Sequence, residues 1–273
     1  MVDGSPSGLK FVEKSNWTGL GIVCPRSRFN EVKSRPEFGK AGVYVLIGRS
    51  GASELPQAYV GEGDPVRARL EDHYKKRDFW TTVYFFTSKD ENLNKAHIQY
   101  LEHKLVSLAE NAKRSFLENN TTPTAPTLSE ADHADVEGFL QEMLLCFPVL
   151  GENIFEKPIF VSKPKQNLYL KSKGISAIGY ESENGFLVQK GATAVSATVP
   201  SVHDFVVSLR NDLIKRGILK KKGKSFFELT ADYEFSSPST AADVLIGASI
   251  SGRECWKTSD GTSLRELQEK TVD

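Results

Sequence analysis

The sequence predicts a mixed α/β (α+β) protein built from two units. Three observations predict it. Short β-branched apolar runs alternate with longer stretches whose apolar residues recur every three or four positions. A segment rich in proline and lysine, residues 151–170, divides the chain. The length of 273 residues suffices for one large domain or two ordinary ones, either with a core of its own.

The first unit, expected over residues 39–150 after an N-terminal extension at 1–38, opens with "GVYVLIG" (42–48). This run is short, β-branched and bounded by glycines, as a buried strand is. After the loop "RSGASELPQ", "AYVGEG" (58–63) reads as a second strand, and the spacing suits a hairpin with a long connection. Asp64 then stands as a helix N-cap with Pro65 at the first helical position, and the helix runs to about Arg77. "WTTVYFFTS" (80–88) is a third strand. Ile98, Leu101, Leu105 and Leu108 repeat at helical spacing in a second helix from about Asn92 to Leu117. "NNTTPTAPTLS" (119–129) is a loop ending on Ser129, which caps a third helix with Val136, Phe139, Leu140, Met143, Leu144 and Phe147 on one face.

The second, smaller α+β unit is expected over residues 171–273. "ISAIGYE" and "GFLVQKGATAV" read as a strand pair around "SENG". "PSVHDFVVSLRNDLIKRG" is an amphipathic helix stopped by Gly217. "KSFFELTADYEFS" is mostly strand, and "SSPSTAADVLIGAS" is a short helix capped by Ser237 with Pro238 in its first turn.

Thirty-five basic and 35 acidic residues cancel, so any polyanion site must come from local clustering. No apolar run approaches the length of a membrane span, and the N-terminus lacks the apolar segment of a signal peptide. An intracellular, cytoplasmic protein is expected. Cys24, Cys146 and Cys255 are far apart and odd in number, so they form neither a metal-ligand spacing nor a disulfide framework.

Tyr44 and Tyr59 occupy similar places in neighbouring strands, which favour aromatic residues in any case. Their company is what singles them out. Arg69 and His73 are four apart and share a helix face directly after the Tyr59 strand. An arginine and a histidine aimed at a strand hydroxyl make a cationic pocket suited to phosphate, although "RARLEDHYKKR" also fits a solvated charged face. Glu102, between Leu101 and Leu105, sits at the edge of a buried face and needs a partner, either a lysine or a divalent ion. In the second unit, "IKRGILKKKGK" (214–224) beside Phe226 and Phe227 suits either a nucleic-acid backbone or a solvated loop. Trp256 suits the core.

The ordered set "GVY" (42–44), "YVG" (59–61), Arg69, His73, Glu102 and Asn119 resembles the GIY-YIG endonuclease superfamily over about residues 40–150. "FSSPSTAADVLIGASISGRECWKTSDGTSLREL" (235–267) resembles DUF4357, a small domain that accompanies some bacterial GIY-YIG proteins. The resemblance implies a small antiparallel sheet flanked by helices and hydrolysis of DNA phosphodiesters with one divalent metal, Mg2+ or Mn2+. It implies that Glu102 carries the metal and that Arg69 holds the scissile phosphate. Tyr44 and Tyr59 would line the site, one of them as general base, with Tyr44 favoured. His73 matches a position that often holds His or Tyr, and Asn119 (or its neighbour Asn120) matches the late asparagine. Glu62 departs from the pattern, because some members carry a lysine there; either another cation, Lys75 or Lys76, replaces it or the base is activated differently. Gly61, Lys75 and Lys76, with Lys220, Lys221 and Lys222 of the second unit, complete the expected DNA-binding set. The same residues leave open a non-catalytic nucleic-acid-binding or assembly module, and a phosphodiesterase acting on RNA.

Overall fold

The computed structural model describes Gly4 and residues 8–49, 55–90, 92–156, 166–172, 174–183 and 185–270. These fall into two compact units, one reaching residue 156 and one starting at residue 166.

The first unit is a six-stranded sheet between two layers of helix. Its strands are β1 (Lys10–Val12), β2 (Gly19–Pro25), β3 (Gly42–Gly48), β4 (Gln57–Gly63), β5 (Thr82–Ser88) and β6 (Phe116–Leu117), in the order β1-β2-β5-β3-β4-β6. All neighbours are antiparallel except the two-residue β6, which runs parallel to β4. The helices are α1 (Phe29–Val32), α2 (Val66–Lys76), α3 (Lys95–Ala112) and α4 (Glu130–Val149). Side chains of a strand alternate between faces. Val43, Val45, Ile47 and Val60 therefore pack in one core with α3 and α4, while Tyr44 and Leu46 pack in the other with Phe29, Phe38, Val66 and Leu70. A strand buried on both faces reads as a continuous apolar run, which "GVYVLIG" is.

Residues 8–38 are part of the fold, not an extension of it. β2 pairs along its whole length with β5, and Phe29 and Phe38 are fully buried. Helix starts also differ from expectation. The N-cap of α2 is Pro65, with no side-chain cap, so Asp64 lies one residue too early for that role. α3 begins at Lys95 because Asn94 caps it, its side chain accepting from the His97 N–H at 3.0 Å. It ends at Ala112, where Lys113 takes φ +56°, and the chain beyond turns into β6. Ser129 caps α4 as expected, accepting from the Asp132 N–H at 3.1 Å. The connection begins later than predicted. Ile154 and Phe155 are buried in the core under α4, and the buried Glu152 accepts from Tyr84 Oη at 3.0 Å and from Arg49 at 2.7 Å. Residues 157–165 of the expected connection lie outside the described residues.

The second unit holds β7 (Leu168–Ser172), β8 (Ile175–Ser182), β9 (Gly185–Val188), β10 (Thr193–Val195), β11 (Leu219–Lys222), β12 (Phe226–Leu229) and β13 (Tyr233–Phe235). They form a four-stranded sheet, β13-β9-β8-β7, and a three-stranded sheet, β10-β12-β11. The helices α5 (Asp204–Lys215), α6 (Pro238–Ile246), α7 (Gly252–Cys255) and α8 (Leu264–Lys270) complete it. α6 has the predicted Ser237 cap, which accepts from the Thr240 N–H at 3.1 Å. Gly217 takes φ +70° just beyond α5, a conformation costly for any other residue. Trp256 is fully buried and donates to the Pro238 carbonyl at 2.9 Å, a core residue. The lysine run is not a loop: Lys220, Lys221 and Lys222 lie on β11, an edge strand, and are exposed. The three cysteines are free thiols, and among the described residues no helix is long and apolar enough to cross a membrane.

Candidate active site on the tyrosine hairpin

The β3–β4 register sets Tyr44 opposite Gly61 and Leu46 opposite Tyr59. Both tyrosines therefore project from the face that α2 covers, with ring centroids 6.4 Å apart. Gly61 is a seat for Tyr44: a Cβ at this position would lie 2.4 Å from Tyr44 Oη. The expected substrate-contacting Gly61 is thus a packing partner of a site residue.

α2 follows β4 after two residues and lies against this face. Its His73 is buried, with Nε2 at 2.7 Å from Tyr44 Oη and its ring 4.8 Å from that of Tyr59. Burial, reinforced by the charges of Arg77 and Arg69, lowers the His73 pKa to about 4, so the imidazole is neutral at neutral pH. Arg69, one turn earlier and exposed, acts on the Tyr44 hydroxyl as a nearby cation that opposes the effect of burial. Arg77 stacks its guanidinium over the Tyr59 ring, 4.3 Å from the centroid.

The two phenols are in different surroundings. Tyr44 is 0 % exposed, and burial first, then the neighbouring Tyr59, pushes its phenol well above the ordinary range. Tyr59 is half-buried. The expectation that Tyr44 is the base meets a hydroxyl closed off from water and paired with His73; Tyr59 is the more open of the two.

Glu102 comes from α3, which packs against β3 and β4 on the face opposite to α2. Burial first, and then the Glu62 charge, pushes its carboxyl up to about 7, against the opposing pull of Arg69 and Lys95. It also acts electrostatically on Tyr44, so the acid, the arginine and the buried phenol form one electrostatic cluster. Among the described residues its carboxylate has no hydrogen bond and no ion pair. Glu62 projects beside it and is ion-paired to Lys95, the first residue of α3, at 2.5 Å. An open depression of about 340 Å³ lies between Glu62, Asp64, Arg69 and Lys95.

Lys95 is therefore the cation that accompanies Glu62, in place of Lys75 or Lys76. Lys76 is engaged by Asp72 at 2.7 Å, and Lys75 is exposed on α2. Asn119 also has a different task from the one expected. Its Oδ1 accepts from the Val60 N–H at 2.9 Å and its Nδ2 donates to the Val60 carbonyl at 2.8 Å. Both ends of the amide are committed to the backbone of β4. Lys220, Lys221 and Lys222 belong to the second unit. Sequence reasoning does not single out Lys95 or Arg77. A signal exists for Lys95, which precedes Glu102 by seven residues, two helical turns, and so shares its stripe.

The donor set fits a hard divalent ion. Among the described residues no group of three or more His, Cys, Asp or Glu side chains gathers to hold a metal. Mg2+, however, keeps several waters and needs only one or two carboxylates besides substrate phosphate. A half-buried carboxyl pushed up to about 7 and without a partner gains most from a cation placed beside it.

Neither the curated proteins nor the solved structures contain a match to this chain. Residues 168–268 match the family described as "Domain of unknown function (DUF4357)", a span that takes in the 235–267 stretch and nearly all of the described second unit, so the chain carries a DUF4357 domain there.

Proposed function

We propose that the first unit is a metal-dependent endonuclease of the GIY-YIG type that hydrolyses DNA phosphodiester bonds. The observation that carries this reading is the convergence around Tyr44 of its partner His73, an exposed Arg69, a half-buried Tyr59 and a Glu102 with no hydrogen bond or ion pair among the described residues. Arg69 presents a planar guanidinium at the rim, suited to two oxygens of the scissile phosphate and to the charge that grows on them. Tyr59 is the hydroxyl placed to take a proton from attacking water. Arg77 stacks over its ring at 4.3 Å from the centroid, and Arg69 lies within electrostatic reach of it. Tyr44 and neutral His73 form the fixed floor of the site, each satisfying the other where water does not reach. Glu102 would hold Mg2+ or Mn2+, which when bound supplies charge stabilisation for the phosphate and the leaving oxygen.

The test is cleavage of supercoiled and linear DNA, with RNA in parallel, with and without Mg2+, by the wild type and by Glu102→Gln. Cleavage that needs Mg2+ and is lost in Glu102→Gln, with DNA binding retained, is the expected result. Binding without cleavage in the wild type would turn the reading to a non-catalytic nucleic-acid module. Undiminished cleavage by Glu102→Gln would remove Glu102 from the metal site.

A further inference from the structure

We infer that Lys95 is a second phosphate-binding cation of this site, held in place by Glu62 and facing Arg69 across the same depression; the inference rests on the endonuclease reading above. Lys95 Nζ lies 2.5 and 2.6 Å from the two carboxylate oxygens of Glu62. An ammonium has three donors, and two are engaged in this bidentate contact. The third is left for a ligand.

The pair is asymmetric in a way that suits this role. The Glu62 side chain is 14 % exposed and anchored on β4, whereas that of Lys95 is 55 % exposed. The carboxylate is thus the fixed half and the ammonium the accessible half. A lysine so fixed loses less side-chain entropy on meeting an anion than a free one does.

Other features argue against a pair kept only for stability. The Lys95 half of the pair is solvated, so the ammonium gains little from burial. Lys95 stands at the first position of α3, where the helix dipole disfavours a cation, and no acidic residue occupies that first turn to offset it. Two other lysines of the first unit are committed elsewhere: Lys40 donates to the carbonyls of Ser88 and Lys89 at 3.2 Å each, and Lys76 to Asp72 at 2.7 Å. Arg69 and Lys95 are the two cations lining the 340 Å³ depression, beside the carboxylates of Glu62 and Asp64, and a phosphodiester seated there comes within reach of both a guanidinium and an ammonium.

The test uses the full chain and a short DNA duplex. Binding is measured without metal between about 50 and 200 mM salt, and single-turnover cleavage is measured with Mg2+. Lys95→Met should lower the slope of log affinity against log salt by about 0.9, the equivalent of one phosphate no longer neutralised. It should raise the half-saturating DNA concentration about tenfold and change the saturated rate little, because the interaction exists before the transition state as well as in it. Lys95→Arg should restore the slope and most of the affinity. Unchanged slope and half-saturation in Lys95→Met, while the wild type cuts DNA, would overturn the inference and leave the endonuclease reading standing. A wild type that neither binds nor cuts DNA would remove both.

Discussion

A phenol in water titrates near pH 10, and burial moves that titration upward because the charged form loses its hydration. Tyr44 is pushed upward in this way by its burial; Tyr59 shares the sheet face, with its ring 6.4 Å away, and is half-buried. Replacing each by Phe removes only the oxygen. Tyr59→Phe should fold as the wild type does and cleave about two to four orders of magnitude more slowly, the usual loss on removing a general base. Tyr44→Phe leaves His73 Nε2 without its partner in a buried place, so its main effect should be on stability, about 1–3 kcal/mol. Single-turnover rates and urea unfolding of both variants decide this; a larger rate loss in Tyr44→Phe would return the base to Tyr44. His73 gives a second, independent measurement. Its pKa is about 4 in the folded chain and near 6.5 unfolded. Between these values the unfolded chain binds the proton and the folded one does not. Stability therefore falls as pH drops through this window, approaching a loss of about 3 kcal/mol below it. His73→Gln should unfold with a flatter pH dependence over that range, and profiles parallel to the wild type would show that His73 is not the neutral, buried group described.

β3 is legible residue for residue, because its glycine boundaries and unbroken apolar run are local properties. β2 is not, although "GLGIVCP" is equally buried, because what makes it a strand is pairing with β5, some sixty residues away. β6 is hidden for the same reason: two residues of strand have no pattern of their own. The consequence for the site lies in Asn119. β6 pairs with β4 only through Gln57 and Ala58, and the Glu118 N–H reaches the Ala58 carbonyl at 2.7 Å. The Asn119 amide then takes the next pair of β4 backbone groups, those of Val60, and acts as one more rung of the ladder. Sequence places Asn119 among the site residues but offers no means of telling a side chain that meets substrate from one that holds the strand behind it. Asn119→Ala strips two bonds from the backbone of the fully buried Val60, so it should cost about 1–3 kcal/mol. The Val60 amide should exchange with solvent faster, and cleavage should fall because Tyr59 and Gly61 ride on the same strand. Asn119→Asp keeps an acceptor for the N–H but loses the donor, so it should recover only part. Wild-type exchange at Val60 in Asn119→Ala would show that the rung is dispensable.

Each unit has a core of its own: among the described residues, no buried cluster of the first unit includes a residue of the second. The side chains of the proposed site all belong to the first, apart from the lysines of β11, which are exposed and belong to the second. The sequence shows the charge of this run but not its setting, since Leu219–Lys222 pairs with Phe226–Leu229 as an edge hairpin. That setting gives the lysines two candidate tasks. Lysines on an edge strand block further strand pairing and so prevent self-association. They also make a row of charges for a phosphate backbone, with Lys220 and Lys222 on one face, Lys221 on the other, and Lys222 steadied by Glu228 at 2.8 Å. Replacing all three by Ser in the full chain separates the tasks. If they bind DNA, the salt slope of binding should fall by about 0.9 for each phosphate that a lysine neutralises, while the saturated cleavage rate stays at the wild-type value because Tyr59, Arg69 and Glu102 are untouched. The expected fall corresponds to about two phosphates, since one strand cannot present both faces to one backbone. If they only protect the edge, the slope will not move, and light scattering will instead show the variant associating as its concentration rises. A slope unchanged in a variant that stays monomeric would deny β11 either task and leave DNA affinity to the first unit alone.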